Sequence, residues 1–191
     1  MRGLTATDRS ALIKLASSLP AGSPERKAIL AGLQGSGSSK TASGEFNVPD
    51  VHVFDDAQVL DNAMVSGNAK VFDEAMVYGN AKVSGNAKVG GDALVYGDAK
   101  VYGNAEVYGK AHVYGHAQVS GNAVAHYRAK VLGNAMVSGD AIVSGNAVVK
   151  GDAIVSGKAR IGGKAIILGG IWDGSEGEIT SGTWKGPGIP A

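Results

Sequence analysis

The chain has 191 residues, a net charge of +1 and no cysteine, with 44% hydrophobic residues and 30 glycines. Near-neutral charge gives no electrostatic case for nucleic acid or a membrane surface, the lack of Cys excludes disulfides and thiol catalysis, and no apolar run reaches the length of a membrane span. The opening Met1-Arg2-Gly3-Leu4-Thr5 lacks the apolar stretch of a signal peptide, so export by that route is not expected.

Residues 1–33 read as two short amphipathic helices. Thr7 or Asp8 caps the first, which carries the stripe Leu12, Leu15, Ala16 and Leu19. Pro20 and Gly22 end it. Ser23-Pro24 starts the second, with Ser as cap and Pro at the first helical position, and Ala28, Ile29, Leu30 and Leu33 give its stripe. Helices this short are marginal alone. The candidate docking residues Leu12, Leu15, Leu19, Ile29, Leu30 and Leu33 therefore either cap the rest of the chain or bind a larger protein assembly. The Gly/Ser-rich tether 34–45 favours docking, since a chain of this kind reaches roughly 20 Å and a packed cap does not need it. Residues 1–45 hold six Lys/Arg and three Asp/Glu, net +3; the rest hold twelve and fourteen, net −2.

Residues 46–56 lead into the main element, with Pro49 suited to an unpaired first edge. From 57 to 167 Ala recurs every six residues, and Val or Ile follows two later at every repeat except Ala125. Residues two apart point to one side of a strand. Each hexad, A-x-V-y-G-N, is then a strand of about four residues and a corner. Gly accepts positive φ freely and Asn or Asp tolerate it better than other residues. The departures from Gly at the corner are Asp55, Asp61, Asp73 and Tyr127. Ala beside Val fills a narrow interior.

Period eighteen shows how many hexads close one turn. The residue after Val forms a serine ladder (Ser66, Ser84, Tyr102, Ser120, Ser138, Ser156) and an aromatic-leucine ladder (Leu60, Tyr78, Tyr96, Tyr114, Leu132, Lys150, Leu168) only when every third hexad is read. Three hexads close a triangular coil, and the array 46–167 makes about six coils at roughly 4.8 Å each.

The pattern resembles the left-handed β-helix of hexapeptide-repeat proteins, in which an aliphatic residue is followed four positions later by a small one. Val59 with Ala63 and Val65 with Ala69 fit that motif, and the likeness covers a little over half of the chain. It implies an all-β, left-handed parallel β-helix behind the N-terminal helical segment, against the usual right-handed crossover. Residues 168–191 read as a C-terminal cap, in which Ile171-Trp172 and Thr183-Trp184 look like two arms of one hairpin whose tryptophans close the bore.

Many hexapeptide-repeat proteins are acyltransferases, and the resemblance implies for those a catalytic His and loops that leave the coil. Here nineteen Ala positions run without an insertion, which argues against a cleft enzyme. His52, His112, His116 and His126 are scattered over outward and corner positions, so neither a metal site nor a cofactor is expected. The Asn column at the corners reads as amides stacked between coils.

One side of the prism differs from the others. On the side that starts at Ala57, ten of fourteen outward residues are apolar or aromatic, against four of twelve on each other side. Such a strip points to self-association. Leu60, Met76, Tyr78, Leu94, Tyr96, Tyr114 and Leu132 form the expected interface, and the resemblance implies a homotrimer. The expected function is a rigid, non-enzymatic structural protein attached to a larger assembly. The layout resembles accessory or decoration proteins of a phage capsid or tail. An acyltransferase relative and an end-to-end cytoplasmic scaffold polymer are the alternatives.

Overall fold

The computed structural model describes residues 52–187, 189 and 190. The helical stripes of residues 1–33, the tether and Pro49 lie outside them.

Two residues of each hexad make the interior. Every repeat Ala from Ala63 to Ala165 is buried, as is the Val, Ala or Ile that follows it two positions later, and the described residues include no buried polar or charged group. Like stacks on like: Val59 pairs with Val77, Val77 with Val95, and Val95 with Val113. Where Ala125 replaces Val it stays in register between Val107 and Val143 and is fully buried.

The hexads distribute in turn over three sheets. Sheet A runs from His52–Val53 through Lys70–Val71 to Glu178–Ile179, with eight strands; sheet B runs from Gln58–Val59 to Thr183–Gly186 and Ile189–Pro190, with nine; sheet C runs from Met64–Val65 to Ile171–Trp172, with seven. The result is an all-β parallel solenoid of about seven turns. That exceeds the six coils expected from the hexads, because His52–Val53 begins sheet A before them and the C-terminal strands extend all three sheets after them.

Most strands have two residues rather than four, because the sides are short and the chain bends at once into a corner. The ladder nevertheless reaches further: Gln58 N–H donates to the Ala75 carbonyl and Leu60 N–H to the Val77 carbonyl, both at 2.9 Å. Ala and the residue after Val are thus part of the pairing without being strand.

Each corner is a tight turn, as when Ala63 N–H donates to the Leu60 carbonyl at 3.2 Å. Its first central residue has positive φ throughout the array, including Asp55, Asp61, Asp73 and Tyr127 at φ 57° to 59°. Asp does further work there. The carboxylate of Asp61 accepts from Gly79 N–H at 3.1 Å and that of Asp73 from Gly91 N–H at 2.9 Å, one coil on. Gly85 has φ +71°, and a Cβ placed there would lie 3.0 Å from the backbone of Gly103. Gly85→Asp is expected to be tolerated, since its carboxylate can accept from Gly103 N–H as its relatives do. Gly85→Val should lower the melting temperature by several degrees, because a β-branched residue at positive φ is strained. Equal melting temperatures for the two variants would show that the corner does not select by backbone conformation.

The C-terminal segment corrects the expected hairpin. Ile171–Trp172 lies in sheet C beside Ile154–Val155, whereas Thr183–Gly186 lies in sheet B beside Ile166–Ile167. The two Trp stretches are separate sides of the last coil, with Glu178–Ile179 of sheet A between them. The antiparallel partner of Thr183–Gly186 is Ile189–Pro190. The tryptophans do meet, edge to face with centroids 6.3 Å apart.

Candidate interaction face

Period eighteen places the outward residues of sheet B in two straight columns. Parallel in-register pairing sets Met76 on Leu94 and Leu94 on His112. In the neighbouring column Tyr78, Tyr96 and Tyr114 stack with centroids 4.9 and 4.8 Å apart and planes 2° from parallel. Leu60 and Leu132 end this aromatic run. Met76, Tyr78, Leu94, Tyr96, Tyr114 and Leu132 are half-buried, because neighbours one coil away cover their flanks, and Leu60 is exposed. The structure thus brings all seven expected interface residues onto one face.

The electrostatics of that face are apolar in character. Burial, then the neighbouring Tyr114 and Tyr78, push the Tyr96 phenol above its ordinary pKa. Burial, then Lys130, pull His112 below its own. Both shifts disfavour charge on the strip.

The other faces are filled differently. On sheet A a Cβ at Gly90 would lie 2.5 Å from the Phe72 ring, and Phe72 reaches across that gap towards Tyr108, with centroids 5.9 Å apart. Lys88 and Glu106 form an ion pair beside them at 2.9 Å. Sheet C carries the serine ladder, and Tyr102 donates to Gln118 at 3.3 Å.

The corners carry the polar chemistry. Asn68, Asn86, Asn104 and Asn122 each donate from Nδ2 to the side-chain oxygen one coil on, ending at Asp140, over 2.9 to 3.2 Å. A second run, Asn62 to Asn80 to Asp98, ends likewise in a carboxylate. Each run is polarised: an amide both accepts and donates, and a carboxylate only accepts. Each amide of these runs donates one N–H to the coil that follows, so the bonds run between coils of the same corner.

His116 Nδ1 lies 3.5 Å from Asp98 Oδ2. His126 packs on Tyr127 with centroids 4.6 Å apart, and burial lowers its pKa. Among the described residues no three His, Asp or Glu side chains converge as a metal set would require. The irregular corner at Tyr127 and Arg128 lines an open hollow with Gly109, Lys110, Gly145 and Asn146.

One column escaped the reading of sides alone. The second corner position before sheet B holds Asp56, Glu74 and Asp92, then Lys110 and Arg128. Its signal was the same eighteen-residue period, read at the corner instead of on the face.

A family model described as the YdcK beta solenoid repeat matches residues 129–145. That stretch contains Lys130–Val131, Met136–Val137 and Ile142–Val143, one strand from each sheet, and so nearly a whole coil. No curated protein and no solved structure matches the chain.

Proposed function

Starting from a β-solenoid built of such repeats, we propose that the chain is a rigid, non-enzymatic structural element. In this reading the coils wind left-handed and form a shaft. Residues 1–33 dock it on a larger protein assembly through Leu12, Leu15, Leu19, Ile29, Leu30 and Leu33. An accessory position on a phage capsid or tail suits that layout, and a virion or cytoplasmic location follows from it. Sheet B joins copies of the chain side by side, as the homotrimer that the resemblance implies or in another closed group. The observation that carries the reading is the uninterrupted array. Nineteen hexads pass without a loop leaving the coil, so the outward surface consists of flat faces and turns, which suit lateral packing better than enclosure of a substrate.

The test is the mass of the full chain in solution by light scattering. An oligomer is expected. Leu94→Lys with Tyr96→Lys should dissociate it, and Ser84→Lys with Ser138→Lys on sheet C should not. A monomeric native chain overturns self-association. In a second arm, removal of residues 1–33 should leave a cooperative thermal transition and a β-rich spectrum; if the truncated chain unfolds, those residues are part of the fold and the docking role is wrong.

A further inference from the structure

The corner leading into sheet B changes sign along the shaft. Asp56, Glu74 and Asp92 occupy successive coils, followed by Lys110 and Arg128. At the boundary Lys110 and Asp92 pair at 3.2 Å. Asp56, Glu74 and Arg128 are exposed and stand in no ion pair with a described residue. The adjoining apolar column, Leu60-Tyr78-Tyr96-Tyr114-Leu132, reads the same in both directions, and Lys150 follows it one coil on.

Resting on self-association through sheet B, we propose that this face packs against the same face of a second copy running antiparallel, about a two-fold axis at Tyr96. Such an axis lies across the shaft. It keeps the same corner on the same side and reverses the order of the coils. Leu60 then faces Leu132, and Tyr78 faces Tyr114. Asp56 faces Arg128, and Glu74 faces Lys110. In the neighbouring column Gln58 faces Lys130 and Met76 faces His112, so no two cations oppose each other there. Asp92 and Asp98 each meet their own copy near the axis, where Asp92 is already paired with its own Lys110 and Asp98 lies 3.5 Å from its own His116 Nδ1.

Parallel packing gives a different result. A two-fold axis along the shaft sets this corner against the corner that follows sheet B, coil for coil. Asp92 then lies towards Asp98, like charge against like, while Asp56, Glu74 and Arg128 lie towards Asn62, Asn80 and Asn134 and meet no opposite charge. Exposed ion pairs contribute little each. Their arrangement nonetheless decides orientation, because like-charge contacts penalise the wrong partner. The apolar column supplies the affinity and the corner supplies the direction. An isologous pair of this kind is the commonest closed assembly.

The experiment exploits the absence of Cys, so that each introduced thiol is unique. Leu60→Cys and Leu132→Cys are placed in the full chain, made separately and co-expressed, and treated with a short bis-maleimide. The co-expressed pair should cross-link to a dimer and neither variant alone should. Tyr96→Cys alone should also cross-link, because it lies at the axis. Leu60→Cys linking to itself, or a trimeric mass for the native chain, overturns the antiparallel pair while self-association stands. A dimer that shows no Leu60 to Leu132 product overturns the pairing at Tyr96. A monomer without product overturns both the pair and the self-association beneath it.

Discussion

Val95→Asp is expected to unfold the coils around it, with loss of the cooperative thermal transition at temperatures where the native chain is folded. Val95 is fully buried and lies in register between Val77 and Val113. The bore around it holds alanine and valine, and no buried polar group is present among the described residues to accept or donate a hydrogen bond. An unpaired carboxylate in such surroundings costs several kcal/mol. The effect spreads because each coil is stabilised by its neighbours, so one coil that cannot form also removes a partner from the next. Val95→Ala provides the scale. It deletes two methyl groups and leaves a small void, at about 2 kcal/mol. A Val95→Asp chain that melts with the native one would mean that the Val column does not face inward.

The regular part of this fold was legible because each constraint repeats. A six-residue step fixed the Ala and Val columns, and the departures Asp55, Asp61, Asp73 and Tyr127 marked the corners, where positive φ is found. Read at eighteen, the same sequence placed Tyr78, Tyr96 and Tyr114 in one stack. The Asn column read as stacked amides, and the side chains are bonded coil to coil. What periodicity could not show is the last coil. Strands there begin at Ile166, Ile171, Glu178 and Thr183, steps of five, seven and five. The corners change length while the sides keep their places, so a scan for sixes stops at Ile167 and the two Trp segments look like a separate hairpin. The direction of packing was hidden for another reason. The face was read for its apolar content, and its basic residues Lys130 and Lys150 lie only towards one end; the change from acid to base lies in the corner positions beside it.

Trp172→Ala should be the most damaging single truncation at the C-terminal end. Trp172 takes the inward position after Val155, is fully buried, and donates from Nε1 to the Gly169 carbonyl at 2.8 Å. It replaces the valine of the ordinary coil with a ring large enough to close the bore. Trp184, in register with Ile167 on sheet B, packs edge-on against it and donates to the Ser181 carbonyl at 2.9 Å. Truncation to Ala removes that plug and exposes the aliphatic end of the array to water, at about 3–5 kcal/mol. For a chain of this size the melting temperature should fall by roughly 10 °C. Trp172→Phe keeps most of the volume and loses the N–H donor, so its cost should be nearer 1–2 kcal/mol. Trp184→Ala should cost less than Trp172→Ala, since Trp184 is only half-buried. The three variants separate filling from hydrogen bonding by thermal melts alone. If Trp172→Ala melts with the native chain, the bore is closed by something other than this ring; if Trp172→Phe is as damaging as Trp172→Ala, the bond to Gly169 rather than the bulk of the indole holds the last coil.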